Sequence, residues 1–261
     1  MAELRAVTLI TGASAGIGSA LARVFAANGH EVVLVARREQ LLTALAEEIA
    51  ATGAPKPTVL RADVSRIDAG RRIGEALTAA GVEPDIVVNN AGFGLAGDAI
   101  SLDRGEQLAM IDLNVRTLTD LSLAFADALV RRKGGILNVA SVAAFLPGPG
   151  MAVYYASKAY VLSFTEALHH ELAPKGVRVT ALCPGPVPTE FQARAGVKAM
   201  KFPRSLTRSA ERVAAEGYQG LKENRRVVVP GTPNKLLTTL VALLPRSSVL
   251  KMAGDRNKER S

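Results

Sequence analysis

The sequence predicts a single α/β domain built on a doubly wound parallel sheet of about seven strands, with helices on both faces. The first observation is an alternation of short runs rich in apolar and β-branched residues with longer segments rich in alanine and leucine. Repeated strand–helix–strand units place parallel strands in one sheet that is covered on both sides. The second observation is that no repeat or low-complexity linker interrupts the alternation. One domain is therefore expected, although 261 residues exceed the usual domain length.

The elements follow from these patterns in chain order. Strands are predicted where β-branched and apolar residues cluster, at 7–11, 31–36, 58–61, 86–89, 135–141, 178–182 and 226–229. Helices are predicted where alanine, leucine and charged residues alternate, notably at 18–28, 39–51 and 104–131. In such sheets, functional residues gather beyond the carboxyl ends of the strands. The chemically distinctive residues of this chain follow the predicted strands, so we expect them to meet at one edge.

The composition limits the class of protein. Hydrophobic residues make up 48% of the chain, which is enough for a full core. Cys183 is the single cysteine, so no internal disulfide is possible, and we expect a small buried residue rather than a nucleophile. No uninterrupted apolar stretch reaches about 18 residues, and the N-terminus enters a strand without an apolar leader. A cytoplasmic protein is the expectation.

The net charge of +8 is concentrated at the C-terminal end. Residues 198–261 contain 14 Lys and Arg against 5 Asp and Glu, whereas the rest of the chain is nearly neutral. A basic region can attract anionic lipid, an acidic carrier or nucleic acid. Nucleic acid is not expected, since aromatic residues make up only 4% of the chain and no recognition module is visible.

A glycine-rich segment, Thr-Gly-Ala-Ser-Ala-Gly-Ile-Gly at 11–18, joins the first predicted strand to the first predicted helix. Its glycines permit a tight turn and the close approach of a pyrophosphate to the helix N-terminus. The spacing is G-x-x-x-G-x-G rather than the G-x-G-x-x-G fingerprint. We predict a dinucleotide site here, and the alternative is an ordinary turn between strand and helix.

Ser141, Tyr154 and Lys158 have the spacing of a proton-transfer site. Tyr154 and Lys158 are four residues apart and share one face if this segment is helical. An ammonium beside the phenol is expected to lower its pKa from about 10 toward neutrality, which would allow proton exchange with a carbonyl or alcohol oxygen. Together with the glycine segment, this pattern predicts hydride transfer with a nicotinamide cofactor. Tyr155 breaks the spacing and is predicted to be a packed aromatic residue.

These ordered motifs resemble those of the short-chain dehydrogenase/reductase family over nearly the full catalytic body, with a weaker similarity to ketoacyl and hydroxysteroid reductases. The matching positions are the glycine motif at 11–18, Asn-Asn-Ala-Gly at 89–92, Asn114, Ser141, Tyr154-x-x-x-Lys158, and Pro184-Gly185 with Thr189. The resemblance implies a Rossmann-type domain over residues 1–231 that binds NADP(H) and catalyses hydride transfer. Residues 232–261 are then a basic C-terminal extension.

The resemblance also implies the role of each matched residue. Tyr154 would donate a proton to the substrate carbonyl oxygen, Ser141 would hydrogen-bond the same oxygen, and Lys158 would hold the nicotinamide ribose. Asn114 would bind a water that relays protons toward Lys158. Asp63 and Val64 would contact adenine. Asn90 would support the sheet behind the cofactor. The full set of predicted cofactor-binding residues is Gly12, Ser14, Ala15, Gly16, Ile17, Gly18, Arg37, Arg38, Asp63, Val64, Asn90, Ala91, Gly92, Tyr154, Lys158, Pro184, Gly185, Val187 and Thr189.

The choice of cofactor depends on the residue after the second strand. An acidic residue there would bind the adenosine ribose hydroxyls and repel a phosphate, but this chain has Arg37 followed by Arg38. A guanidinium pairs with a 2′-phosphate through charge-assisted hydrogen bonds, which favours NADP(H) over NAD(H). Ala15 stands where many NADP(H)-binding relatives have a second basic residue, and the alternative is a solvated arginine pair. No metal site is predicted, because His169 and His170 are adjacent and lie on different helix faces.

The residues expected to edge the substrate cleft are apolar: Phe93, Leu95, Val187, Phe191 and the segment 143–151. Such a cleft favours a hydrophobic ketone or aldehyde, or the corresponding alcohol, whereas the alternative is that these side chains simply close the core. Residues 186–208 are predicted to form a mobile lid, with Gly185 and Gly196 as possible flex points. All four catalytic positions are filled, which favours an enzyme over a catalytically idle NADP(H)-binding sensor or scaffold.

The extension from 232 to 261 contains a leucine-rich part that is too short to span a bilayer. We expect it to pack on its own domain or on a partner subunit of a homodimer or homotetramer. Peripheral membrane contact is the less favoured alternative. The motif residues end at Thr189, so the extension is not expected to hold any hydride-transfer group.

Overall fold

The computed structural model describes residues 4–196, 203 and 205–258. Seven strands form one parallel sheet in the order β3-β2-β1-β4-β5-β6-β7. This confirms the predicted doubly wound α/β fold. The strands are β1 (Arg5–Thr11), β2 (Val32–Ala36), β3 (Thr58–Arg61), β4 (Val82–Asn89), β5 (Gly135–Val139), β6 (Arg178–Leu182) and β7 (Val227–Val228).

Helices connect the strands and continue beyond the last of them. They are α1 (Gly16–Ala27), α2 (Glu39–Ala51), α3 (Ala69–Ala79), α4 (Arg104–Ile111), α5 (Leu118–Ala124), α6 (Ala126–Arg132), α7 (Ala152–Leu172), α8 (Phe191–Arg194), α9 (Ala210–Lys222), α10 (Thr232–Leu243) and α11 (Arg246–Lys258). Short 3-10 turns lie at Val142–Phe145 and Ala173–Lys175, and a π-helical turn lies at Asp112–Thr117.

The core consists of two layers, one on each face of the sheet. Successive strand residues point to opposite faces, so Ile10 of β1 packs with α1, α2 and α9 while Leu9 packs with α3, α5 and α7. Both residues are fully buried. Because both faces are covered, the central strands are apolar at nearly every position, which is the pattern that identified them in the sequence.

The predicted helix over 104–131 is wrong as one continuous element. The chain forms α4, the π-helical turn, α5 and α6 instead. Phe125, between α5 and α6, has φ −105° and ψ 6°, and this departure from helical geometry separates the two helices. Composition gives no sign of these interruptions, because leucine and alanine favour the helix throughout.

The order of the strands creates a crevice at the carboxyl edge of the sheet. The chain moves outward from β1 to β3 and then returns to β4, which pairs with β1 on its other side. The loops after β1 and β4 therefore diverge, and the space between them is the usual ligand site of such sheets. Among the described residues, no helix is both long and apolar enough to cross a bilayer.

Candidate active site

A cleft of about 790 Å³ lies at this carboxyl edge. Its size falls in the range of sites for cofactors and small molecules, about 300–1,000 Å³. The predicted site residues line it, with two exceptions, Gly18 and Asn114. The loops after β1 to β6 form one end and the floor, and α8, α10 and α11 add walls at the other end.

The glycine loop presents bare backbone to the cleft. Gly12 and Gly16 have φ of +66° and +59°, a region that favours glycine. A Cβ at Gly12 would lie 2.9 Å from Ala91 Cα, so a side chain has no room there. Gly18 lies behind the loop, where a Cβ would come 2.2 Å from the Gly12 carbonyl oxygen. In this structure Gly18 packs closely against the loop, and its predicted contact with a cofactor stays a prediction.

Asn90 fixes the loop from the neighbouring strand. Its Nδ2 donates to the carbonyl oxygens of Thr11 at 2.9 Å and Gly12 at 3.2 Å. The Thr11 hydroxyl in turn accepts from the backbone N–H groups of Asn90 and Ala91, each at 3.1 Å. These bonds join the ends of β1 and β4, which is the supporting position predicted for Asn90. The open, glycine-lined cradle beside a helix N-terminus fits the pyrophosphate of a dinucleotide.

The two arginines after β2 differ in their contacts. Arg38 donates to Ser14 Oγ at 3.1 Å and pairs with Glu190 at 2.8 Å, so it bridges the glycine loop and the start of α8. Arg37 is exposed at the mouth of the cleft and forms no ion pair within the described residues. Partial burial opposes ionisation of Asp63, but hydrogen bonds from Ser65 and the charge of Arg37 hold the pKa of this carboxyl below its usual value. Arg37 is thus the cation available for an anionic ligand at this end.

Ser141, Tyr154 and Lys158 meet at the centre of the cleft, because the N-terminal part of α7 runs past the end of β5. The Ser141 hydroxyl faces the Tyr154 hydroxyl closely enough to oppose the rise of its pKa, and it accepts from Ala143 N at 3.1 Å. Lys158 Nζ lies 5.9 Å from the centroid of the Tyr154 ring and donates to the Val139 carbonyl oxygen at 2.8 Å. α7 therefore holds the phenol and the ammonium on one face, as the four-residue spacing predicts.

The predicted lowering of the Tyr154 pKa is not found in this structure. Burial raises the pKa of Tyr154 to about 12, although the hydrogen bond from Ser141 opposes the rise. Burial also lowers the pKa of Lys158 to about 8. The physical reason is that both groups are enclosed, and enclosure disfavours the charged form of each. At neutral pH the phenol is protonated, the form that can donate a proton.

Asn114 lies behind the catalytic residues in the π-helical turn. Its Oδ1 accepts from Phe93 N at 3.1 Å, and its Nδ2 donates to Phe93 O at 2.9 Å and to Ser157 Oγ at 3.0 Å. The side chain thereby holds the loop after β4 against α7. Since the amide is occupied by these contacts, the relay water predicted for this residue stays a prediction.

The substrate end of the cleft is mostly apolar. Phe93, Phe191 and Val187 line it as expected, whereas Leu95 does not. Of the predicted segment 143–151, Ala143, Leu146 and Met151 reach the cleft. The Phe191 and Tyr154 ring centroids are 5.3 Å apart, so apolar surface adjoins the reactive phenol directly.

Tyr155 packs beside the catalytic residues. Its ring lies against Gly148, where a Cβ would come 2.3 Å from the ring, and it also lines the cleft. The hypothesis of a packed aromatic residue agrees with this position.

Cys183 is fully buried as predicted, and burial raises the pKa of its thiol to about 12, so it is not a nucleophile.

One wall of the cleft comes from the C-terminal helices, which the sequence did not identify as part of the site. Leu237 and Val241 of α10 and Val249 and Ala253 of α11 line the same cavity as Tyr154. A sequence pattern could have indicated this wall: Leu237 and Val241 are four residues apart, as are Val249 and Ala253, so each pair lies on one helix face. The buried side chain of Asn234 fixes α10, because its Nδ2 donates to Leu206 O and Pro230 O, each at 3.0 Å.

Arg194 is the cation at the substrate end, and its charge is balanced. It pairs with Glu106 at 2.5 Å and lies over the ring of Phe93, 4.5 Å from the centroid. Arg194 belongs to α8, within the segment predicted to be a lid. Residues 197–202 and 204 of that segment lie outside the described residues, and its mobility stays a prediction.

Comparison with known proteins gives consistent matches. The short chain dehydrogenase family model matches residues 6–199. Sulfoacetaldehyde reductase 2 of Chromohalobacter salexigens is 40% identical over 188 residues, which are 71% of this chain and 74% of that protein. A short-chain dehydrogenase from Sphingobium yanoikuyae in complex with NADPH has a TM-score of 0.80 and 33% identity, with 92% of each chain covered. A short-chain dehydrogenase/reductase from Burkholderia phymatum in complex with NAD also has a TM-score of 0.80, at 28% identity, with 92% of this chain and 94% of that chain covered.

The family model covers most of the chain and includes the glycine loop, Ser141, Tyr154 and Lys158. The similarity therefore extends to the residues that the fold brings together. The chain belongs to the short-chain dehydrogenase/reductase family of oxidoreductases.

Proposed function

We propose that this protein is an NADPH-dependent reductase of hydrophobic ketones or aldehydes, with oxidation of the alcohol as the reverse reaction. The observation that carries the proposal is one cleft that contains Ser141 and Tyr154 with facing hydroxyls, an unpaired Arg37 at one end and apolar walls at the other. The first two residues suit proton transfer to a carbonyl oxygen, Arg37 suits a phosphate, and the walls suit an apolar substrate.

The proposed chemistry assigns the proton to Tyr154. A reduced nicotinamide, when bound, supplies the hydride to the carbonyl carbon. Tyr154 donates its phenolic proton to the carbonyl oxygen, and the Ser141 hydroxyl stabilises the negative charge that develops there. With its pKa raised to about 12, Tyr154 is protonated at neutral pH, which is the form that donates a proton. Lys158 holds the ribose hydroxyls, and its pKa near 8 allows it to return a proton to the phenol at neutral pH.

The substrate class follows from the walls. Phe93, Phe191, Leu237 and Val241 surround the space beyond Tyr154, and Arg194 is neutralised by Glu106. An anionic substrate would need a free cation to replace its lost hydration, whereas an apolar carbonyl compound needs only apolar contact. The proposal therefore differs from what the name of the sulfoacetaldehyde-reducing relative suggests, since that substrate carries a sulfonate.

A panel of carbonyl compounds tests the proposed function. Straight-chain aldehydes and aryl ketones should oxidise NADPH with much higher kcat/KM than sulfoacetaldehyde, because only the former match the apolar walls. Loss of nicotinamide absorbance gives the rates, and NADH is measured in parallel. If NADPH binds but no carbonyl compound or alcohol reacts, the protein is a cofactor-binding sensor rather than an enzyme.

Arg37→Ala should raise the KM for NADPH about ten- to a hundredfold and leave the KM for NADH nearly unchanged. Only NADPH carries the 2′-phosphate, and a hydrogen bond to a charged group is worth about 1.5–3 kcal/mol. Arg66→Ala is a matched control, because Arg66 is also exposed but pairs with Asp68 and does not line the cleft. If Arg37→Ala leaves the ratio of the KM values for NADPH and NADH unchanged, either Arg38 binds the 2′-phosphate or the protein does not prefer NADP(H).

A homo-oligomer is part of the proposal. α4, α5 and α7 carry exposed apolar side chains at Leu108, Ile111, Leu123 and Tyr160. The Tyr160 hydroxyl contacts Thr119 Oγ1 at 2.9 Å and holds α7 against α5. These side chains suit burial against a second copy.

The buried, unpaired Cys183 supports the proposal of a reducing, cytoplasmic environment.

A further inference from the structure

The C-terminal helices α10 and α11 have two different faces. The inner face contains Leu237, Val241, Val249 and Ala253, which line the cleft. On α10, Leu236, Leu240 and Leu243 follow one another at four and three residues, so they share a second helix face beside the inner one, here called the outer face. Their exposed fractions are 59%, 50% and 78%. The inner face therefore lines the cleft, whereas the outer face exposes apolar side chains to solvent.

Within the described part of the chain, exposed large hydrophobic side chains are most closely spaced in the C-terminal helices. Twelve large hydrophobic side chains are exposed in the described part of the chain, and five of them lie between 236 and 250. These five are Leu236, Leu240 and Leu243 of the outer face together with Leu244 and Leu250. A contiguous apolar surface on a water-soluble domain normally marks a contact with another molecule or with lipid.

The charge around these leucines identifies the type of contact. Lys235, Arg246 and Lys251 are exposed, and none forms an ion pair within the described part of the chain. The segment from 232 to 251 contains these three basic residues and no acidic residue. Leucines bordered by unpaired cations match the boundary of an anionic lipid layer, where acyl chains accept the leucines and phosphate groups accept the cations.

A second copy of this chain fits the same face less well. In a twofold contact the same patch occurs on both sides, so Lys235, Arg246 and Lys251 of one copy would meet the same three cations of the other, and the segment 232–251 supplies no carboxylate to pair with them. α4, α5 and α7 already offer apolar side chains for association of subunits. The distribution of charge therefore favours lipid over a partner subunit as the contact of the outer face, whereas the sequence favoured packing on the same domain or on a partner subunit.

We propose that the outer face of α10 and α11 binds an anionic lipid surface, with the leucines in the headgroup boundary and the three cations on phosphate groups. The helices lie along the surface, because neither is long enough to span a bilayer. The inner face of the same helices is a wall of the cleft, so the enzyme is held with this wall beside the lipid. Apolar substrates dissolved in the membrane are then close to the site.

Co-sedimentation of the purified full-length protein with vesicles tests this proposal without any enzyme assay. Vesicles of phosphatidylcholine with phosphatidylglycerol are compared with pure phosphatidylcholine, at low and high salt. We expect at least about tenfold stronger partitioning to the anionic vesicles at low salt, and a loss of this difference at high salt, because screening weakens attraction to the phosphates. No binding to anionic vesicles at low salt would overturn the proposal.

Two variants separate the leucine face from general surface effects. Leu240→Asp combined with Leu243→Asp should reduce vesicle binding at least about tenfold, since it places carboxylates at the proposed boundary. Ile100→Asp is the matched control, because Ile100 is 99% exposed and lies elsewhere, and it should bind as the parent does. Thermal melting verifies that each variant is folded. Equal vesicle binding by the leucine variant and the parent contradicts the lipid contact. If the parent does not bind vesicles and the leucine variant has a lower oligomer mass by light scattering, the outer face is a subunit interface instead.

Discussion

Replacing Tyr154 with phenylalanine is expected to lower kcat for carbonyl reduction about a hundred- to ten-thousandfold, the usual contribution of a positioned proton donor. The change removes only the phenolic hydroxyl that Ser141 contacts, and the ring keeps its packing against Phe191. NADPH affinity and the melting temperature should therefore stay close to those of the parent. Steady-state kinetics and cofactor fluorescence titration measure the two effects separately.

Tyr155→Phe is the matched control for this change. Tyr155 also lines the cleft and its ring packs on Gly148, but it lies three rather than four residues before Lys158 and so breaks the predicted spacing. It should lose far less activity than Tyr154→Phe. An equal loss in the two variants would show that the hydroxyl of Tyr154 is not the proton donor.

Gly18→Ala is expected to damage cofactor binding and stability together. The new Cβ would lie 2.2 Å from the Gly12 carbonyl oxygen and 2.5 Å from Asn90 Nδ2, so the glycine loop must shift. Overpacking of this kind costs about 1–3 kcal/mol, which lowers Tm by roughly 2–10 °C in a domain of this size. Because the displaced loop is the proposed pyrophosphate cradle, the Kd for NADPH should rise at least about tenfold. Calorimetry and fluorescence titration give both values.

Gly74→Ala provides the comparison for Gly18→Ala. Gly74 lies within α3, and its nearest neighbour to a new Cβ would be the Phe125 ring at an ordinary 3.7 Å. Alanine favours helix over glycine by up to about 1 kcal/mol, so this variant should be slightly more stable and should bind NADPH normally. Similar behaviour of the two variants would mean that the close packing at Gly18 does not support the loop.

The sequence predicted the sheet well because burial on both faces leaves a strong signal. β2 is apolar at every position, and its strand was located to within one residue at each end. The helices between β4 and β5 were harder to predict. The π-helical turn around Asn114 depends on hydrogen bonds to Phe93 and Ser157, which are distant in sequence, so no local pattern reveals it.

The candidate site was predicted to different degrees at its two ends. The proposed cofactor end depends on short motifs such as the glycine loop, and its residues were named from these motifs and from the resemblance to the family. The substrate end depends on how α10 and α11 return to the cleft, which is a tertiary contact. The pKa of Tyr154 could not be predicted either, since it depends on the enclosure of the phenol and of Lys158 rather than on their separation along the helix.

The return of α10 and α11 divides the cleft by position along the chain. The proposed cofactor and proton-transfer residues all precede residue 190, whereas four apolar wall residues come after residue 236. Changes of sequence in the last two helices therefore alter the shape of the substrate space without touching the glycine loop or Tyr154. Exchange of the last two helices for those of a relative is therefore a way to alter the substrate range while the proposed hydride-transfer residues keep their positions.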